Sequence, residues 1–480
     1  MVSSDARRWL ALAVLSLSML TTVVDTTIVN VALPTLAVRL HASASALEWI
    51  VDAYTLSFAA LLLPAGSAGD RFGRHRALTA GMALFGAASL GAALSPDAST
   101  LTAWRAVMGA GAALVIPASM ATLVVLFPAA SERARAIAVW SGTSALGVAA
   151  GPTVGGWLLA HFAWGSIFAV NLPVAAVALI GGWFAVPSSG KPQRPRFDPA
   201  GMVLATAASG TLTYTIIEAG TDGWASGSTA WRWALSVLLI AAFVAWEARA
   251  PDPMIDLGLF RDPRFAVASG AVATLFFGLA GATFLLTQIY QFVLGYSPLA
   301  AGIRSLPSAV ALAVAVPAGT RLAARAGIST SVTAGLLAMA AGLIYLALAR
   351  GDTPYSHYLV AATVMAIGTG LTTAPATQSV LASLPPALLG AGSAVNNAMR
   401  NFGSVLGVAV LGSLAATLYS AGKPAQAALA AHPLQAGAAD AFVRGVSLGA
   451  FGAAGLTMAV AVTTAWLLPN TGQGVLVASG

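Results

Sequence analysis

The sequence predicts an all-α polytopic membrane protein, and three observations carry that prediction. Of its 480 residues, 58% are hydrophobic and only 8% are charged, against roughly 25% charged in a soluble domain. Apolar runs of about 20 residues, the length of a bilayer-spanning helix, recur from end to end. Lys and Arg gather in alternate connections between those runs, as cytoplasmic loops do.

Fourteen helices are expected, at approximately 9–33, 47–68, 77–95, 101–127, 135–160, 164–186, 199–219, 231–248, 265–293, 299–322, 328–349, 357–381, 393–418 and 442–468. An even number puts both termini on one side. With a cytoplasmic N-terminus, the inside segments hold 15 Lys and Arg, the outside segments hold 5, and Arg105, Arg304 and Arg400 fall within spans. The expected location is the plasma membrane, with both termini cytoplasmic. Arg7 and Arg8 precede an apolar run, Trp9 to Leu33, that is too long for a signal-peptide core, so it reads as an uncleaved first helix.

Several function classes drop out. The net charge of +7 is scattered over short loops, which suits no nucleic-acid groove. There is no cysteine for a disulfide or thiolate site, and the five His show no metal spacing. No phosphate-binding glycine loop or nucleophile constellation appears, so neither a cofactor nor an enzyme activity is expected. A nucleotide-driven pump would need a soluble domain for which the chain has no room.

An internal repeat organises the helices. "PAGSAGDRFGRHRALTAG" at 64–81 resembles "PAGTRLAARAGISTSVTAG" at 317–335, and "GAGAALVIPAS" at 109–119 resembles "GTGLTTAPAT" at 368–377. A six-helix half repeated in parallel is a transporter pattern. The expected division is a bundle over 1–190, a linker over 191–262 with two extra spanning helices, and a second bundle over 263–480. Pro-, Gly- and charge-rich stretches flank the linker helices.

The candidate chemistry lies in polar residues inside the spans. Asp25 interrupts "TTVVDTTIVNVALP", where a mid-helix Asp costs about 2.5–3.5 kcal/mol. It is either solvated near the interface or faces a central cavity, where a carboxyl can bind a cation or exchange protons. Arg105, about one turn into its helix, either reaches the outer interface or pairs with that carboxyl. Asn30, Asp52, Tyr54, Gln288, Gln291, Arg304, Asn396, Asn397 and Arg400 are the other intramembrane polar candidates. Each alone suits helix packing; together they suggest an amphiphilic substrate cavity, with Asp25 among its lining groups. Glu218, at the end of the first extra helix, reads as interfacial.

Two glycine-rich stretches add moving parts. In "GSAGDRFGRHRAL", 66–78, Gly66 and Gly73 permit close approach and a tight turn. Asp70, Arg71 and Arg74 can form a charge relay there that latches the cytoplasmic side. In "GVAAGPTVGG", 147–156, Pro152 removes a backbone hydrogen bond, while Gly147, Gly151, Gly155 and Gly156 thin the helix. The stretch is either ordinary small-residue packing or a bend used during transport.

These motifs resemble those of the fourteen-helix drug:proton antiporters of the major facilitator superfamily, over essentially the whole chain. The 66–78 loop is similar to G-x-L-a-D-r-x-G-r-k-x-x-l, with Ala68 and His75 departing. "LTAWRAVMGAGAA" resembles l-x-x-x-R-x-x-q-G-x-g-a-a, with Met108 for Gln. "GVAAGPTVGG" resembles g-x-x-x-G-P-x-x-G-G throughout, and "VDTTIVNVALP" resembles l-D-x-T-v-v-N-v-A-l-P. The resemblance implies two six-helix bundles plus two extra linker helices. It implies proton coupling at Asp25 and Arg105, a cytoplasmic gate at Asp70, Arg71 and Arg74, and an antiporter bend at Gly151 and Pro152.

The expected function is proton-coupled export of amphiphilic cationic drugs by a monomer in the lipid bilayer. A dedicated exporter of one antibiotic or metabolite, or a lipid transporter of the same fold, stays open. A membrane sensor or scaffold that transports nothing is the third class, and the bend, gate and buried charges argue against it.

Overall fold

The computed structural model describes residues 4–185, 198–251, 253, 257–384, 389–420 and 436–468, and omits some side chains within these helices. Among the described residues the chain is all helix, with no strand. The helices are α1 (Ser4–Arg39), α2 (Ala44–Phe72), α3 (Arg74–Ala93), α4 (Ala98–Leu126), α5 (Ala130–His161), the single turn α6 (Ser166–Ala169) and α7 (Asn171–Ala185). They continue as α8 (Pro199–Asp222), α9 (Gly227–Glu247), α10 (Pro263–Gln288), α11 (Pro298–Ala326), α12 (Ile328–Ala347), α13 (Tyr355–Ala382), α14 (Leu389–Ser420) and α15 (Ala436–Leu467). Twelve spans among the described residues are long and apolar enough to cross a membrane, with α6 and α7 making one of them. The long helices α3 and α5 are not among the twelve. Residues 421–435, in the Ala-rich stretch between the last two expected helices, lie outside the described residues.

Local chemistry sets the helix starts. Ser43, Asp97 and Ser226 each cap a helix by accepting a hydrogen bond from a backbone N–H three residues on, satisfying one of the donors that the first turn leaves open. Asp262 caps α10, which opens with Pro263, where the missing N–H costs nothing. Two departures from uniform helix matter below. The sixth expected span is broken at Val170, so Asn171 opens α7. The span of α10 ends in a π-helical turn, Ile289–Val293, a geometry that recurs at functional sites.

The chain forms two compact units, one of residues 1–206 with 296–303, the other of residues 207–295 with 304–480. In the first unit α4 packs on α2 and α3, and α1 packs on α5 and α7. Leu15, Met82, Val115 and Phe127 belong to its apolar core. In the second unit α10 packs on α14, and α12 on α13 and α15. The 3-10 turn Leu257–Arg261 tucks Leu259 against Phe265 and Leu468. Helix α8 docks there, with Gly220 against the backbone of Ser413 and the indole of Trp224 donating to Thr417 at 3.2 Å.

The repeat seen in the sequence has a backbone counterpart. Gly73 joins α2 to α3 at φ +102°, and Gly327 joins α11 to α12 at φ +95°. Each donates its N–H to a carbonyl four residues back, at 3.0 Å in both cases. A side chain is strained at such φ values, so glycine is required at both turns. The next helix contact repeats as well. A Cβ on Gly81 would come within 3.0 Å of the Gly111 carbonyl, and one on Gly335 would come equally close to that of Gly368.

Candidate functional site

The first unit buries a charged cluster among its helices. Helix α4 presses on α2 so tightly that a Cβ on Gly109 would collide with the Tyr54 carbonyl. One turn earlier, on the same face of α4, Arg105 enters the seam. Its Nε donates to the Ile50 carbonyl at 3.0 Å, and its Nη1 forms an ion pair with Asp25 Oδ2. Its guanidinium carbon lies 4.4 Å from the centre of the Tyr54 ring. Arg105 is 1% exposed and Asp25 is 0% exposed. Neither residue reaches the protein surface; they satisfy each other. Asp25, Tyr54 and Arg105 are thus brought together from three helices.

A fourth helix completes the cluster. Asn171, at the first position of α7, donates to Asp25 Oδ1 at 2.9 Å and lies 3.3 Å from Ser89 Oγ on α3. The Asp25 carboxylate therefore meets a cation on one oxygen and an amide on the other. Burying two charges costs several kcal/mol per ion, which their attraction offsets only when further hydrogen bonds satisfy the pair. Asn171 and Ile50 provide those bonds. Sequence reasoning passed over Asn171 and Ser89. The available signal was a single amide in the apolar run "FAVNLPVAAVAL".

Asp52, on α2, is separate from this pair. It is fully buried, and neither carboxyl oxygen has a hydrogen-bond partner among the described residues. Asn30 is on α1, where its amide donates to Thr26 at 3.4 Å and its Oδ1 is buried without a partner among the described residues.

In the α2–α3 turn, Gly73 takes its positive φ, and Arg74 donates to the Ala121 carbonyl near the end of α4 at 3.1 Å. Gly66, Asp70 and Arg71 lie outside the residues whose side chains are described. In α5 the glycine stretch fits against α1. Cβ atoms added at Gly151 and Gly155 would lie closer than 3.0 Å to Thr27 and Ile28, and one at Gly147 would press on Val23. Gly156 faces Pro298 and Leu299 at the start of α11, and Gly302 faces the Pro152 carbonyl, all closer than 3.0 Å. Helix α5 runs unbroken through Pro152.

The remaining candidates lie in the second unit. Gln288 and Gln291 are buried at the junction of α10 with its π-helical turn, and Gln288 donates to Phe284 at 3.4 Å. Asn396, Asn397 and Arg400 lie along α14, where Asn396 donates to Thr377 at 3.4 Å. No group of His, Cys, Asp and Glu among the described residues could hold a metal ion.

Long apolar helices that enclose a hydrogen-bonded acid–base pair define a multi-pass membrane transporter. The model of the Major Facilitator Superfamily matches residues 15–408, and the chain belongs to that superfamily. It is 36% identical over 444 residues to the multidrug efflux pump LfrA of Mycolicibacterium smegmatis, covering 92% of this chain and 88% of that one. It is 34% identical over 469 residues to the puromycin resistance protein pur8 of Streptomyces alboniger, covering 97% of this chain and 92% of that one. Its fold is similar to the crystal structure of an inward-facing bacterial homologue of the human lysosomal transporter Spinster. There the TM-score is 0.66 at 16% identity, covering 96% of this chain and 97% of that one.

Proposed function

We propose that this transporter exports amphiphilic drugs in exchange for protons by alternating access. The observation that carries this reading is the buried Asp25–Arg105 pair with Asn171 on its free oxygen. Protonating Asp25 removes one charge and leaves Arg105 buried without its counter-ion, so proton arrival changes which packing of α1, α4 and α7 is most stable. One proton crossing about 100 mV releases about 2.3 kcal/mol, enough for roughly a 50-fold gradient at ~1.36 kcal/mol per decade. The oxygens of Asp52, unpartnered among the described residues, supply a second acid for a proton or a cationic cargo. The names of LfrA and pur8 favour drugs and antibiotics as cargo.

In this reading the protein works as a monomer in the plasma membrane with both termini cytoplasmic. Residues 1–190 and 263–480 form the six-helix bundles, with 191–262 linking them. Gly66, Asp70, Arg71, Gly73 and Arg74 close the cytoplasmic side, and Gly147 to Gly156 let α5 slide or bend. Asn30, Tyr54, Gln288, Gln291, Asn396, Asn397 and Arg400 line the cargo path.

Everted vesicles test the coupling. Asp25→Asn should abolish drug accumulation driven by an imposed proton gradient, and full accumulation in that variant would sink the assignment. A second reading, export of a single antibiotic, is favoured by the one-compound name of pur8. Resistance measured across unrelated cations separates the two: broad protection supports the first, and one protected compound supports the second.

A further inference from the structure

Arg400 is a charge in a membrane span that the proton-coupling cluster does not use. Its face of α14 is fixed by small residues. Gly403 and Gly407, three and seven residues on, bring α14 so near α10 that added Cβ atoms would fall within 3.0 Å of the Ala273 and Phe277 backbone. This close seam lays the guanidinium over the Phe276 ring, with Cζ 4.5 Å from its centroid.

What the guanidinium lacks is an acid. It makes no hydrogen bond or ion pair with the described residues; the bond from Ser404 goes to the Arg400 backbone carbonyl. The charged groups on the packed elements lie elsewhere. Helix α10 carries only Arg264, at its first turn, and α13 carries only the imidazole of His357. On α15, Asp440 and Arg444 lie near its start, and Asp440 lies against Gly351. The acids of α8, Glu218 and Asp222, accompany the contacts with Ser413 and Thr417, well over 15 Å further along α14 at ~1.5 Å per residue.

Stacking on Phe276 satisfies only the face of the guanidinium. Its N–H donors lie in the plane, in a fork that matches two oxygens of one group. Asn397, three residues earlier and therefore a neighbour on the helix surface, also has a side-chain amide with no hydrogen bond to the described residues. Both side chains are half-buried. A lone guanidinium in a span normally faces a partner or a wet cavity. Here the stack holds the fork in place, and an amide stands beside it.

We infer that Arg400, assisted by Asn397, recognises a carboxylate or comparable resonance-stabilised oxyanion on the exported molecule. The inference rests on the export reading for the nature of its ligand, though not on proton coupling. It widens the cargo class from cations to molecules that also carry an anionic oxygen.

A matched probe pair tests it: tetramethylrhodamine, which carries a free carboxylate, and its methyl ester, which does not. Binding of each to the purified full chain in detergent is read by fluorescence polarisation, with no proton gradient needed. Arg400→Gln should weaken binding of the carboxylate about tenfold or more, as expected for loss of a charged hydrogen bond, and weaken the ester clearly less, so that the carboxylate-to-ester affinity ratio falls. Retained ester binding shows that the variant is folded. Arg400→Lys keeps the charge without the fork and should give an intermediate affinity. Equal loss of both probes, unchanged carboxylate binding, or a wild-type chain that fails to bind the carboxylate would each overturn the inference. Vesicle efflux of the ester, measured separately, reports on antiport; its failure alongside intact discrimination in binding would sink the coupling and spare Arg400.

Discussion

Asn171 donates to the Asp25 oxygen that Arg105 does not take, at 2.9 Å, from a helix that starts at that same residue. The amide is a positioning group, since it holds the carboxylate without itself carrying a charge. Asn171→Ala removes one of two contacts to the carboxylate and should lower the melting temperature in detergent, since a hydrogen bond to a charged group is worth about 1.5–3 kcal/mol. Asn171→Gln, which retains the amide, should recover part of the loss. In an Asp25→Asn background the same Asn171→Ala change should cost less, because the acceptor there is uncharged. Equal losses in the two backgrounds would assign Asn171 a packing role only.

Arg105 reaches two acceptors from one planar head, Asp25 and the Ile50 carbonyl. A lysine keeps the charge and loses the fork. Arg105→Lys should fold but export at least about tenfold more slowly in a proton-gradient assay. Arg105→Ala leaves Asp25 buried without its counter-ion, with only the Asn171 amide as partner, and removing one partner of a buried pair costs about 3–5 kcal/mol. Its melting temperature in detergent should fall, and Asp25→Asn in the same background should restore part of the loss.

The turn glycines give a backbone prediction. At Gly73 the φ of +102° is accompanied by ψ of 130°, a region that side chains avoid at a cost of about 1–3 kcal/mol. Gly73→Ala should therefore lower thermal stability although nothing among the described residues lies within 4 Å of the added methyl. Gly327→Ala, at the matching turn, should behave likewise. Loss at only one of them would mean that the two turns are not equivalent.

Asp97 offers a pH test outside the membrane span. Hydrogen bonds from Ser99 and from the Thr100 backbone hold its carboxyl below the ordinary range. A carboxylate with a lowered native pKa stabilises the fold above its unfolded pKa, and that contribution disappears as pH falls through the native one. Melting of the wild type should therefore show a small acid-side loss that Asp97→Ser, which keeps a neutral cap, does not show. Identical acid limbs in the two proteins would remove Asp97 from the pH response.

Much of the architecture was legible locally. The expected helix limits fall within several residues of the observed ones, because apolar runs and caps are local signals. Asp25 and Arg105 stood out because a charge inside a span is expensive wherever it occurs. Their partner Asn171 did not, since an amide in a span is cheap and its contact with Asp25 crosses 146 residues of sequence. Asp52 and Tyr54 lie two residues apart on α2 and looked alike, yet only Tyr54 joins the cluster. Helical rotation decides that, and it becomes readable only once Gly109 has set how α2 meets α4. The glycine motif of α5 was visible as small-residue packing. Which chain it packs against, α1 on one side and the start of α11 on the other, depends on tertiary contacts that no local pattern encodes.

Every member of the Asp25 cluster belongs to the first unit, and α1 presents Val23, Thr27 and Ile28 to the glycines of α5 while Asp25 points to α4 and α7. The helix is therefore a lever with a chemical end and a mechanical end on the same two turns. If Asp25 exchanges protons as proposed, any movement that follows meets Thr27, which sits so close to Gly151 that a Cβ there would collide with it. Under that proposal the message would leave the cluster as displacement, and no charge would have to travel with it.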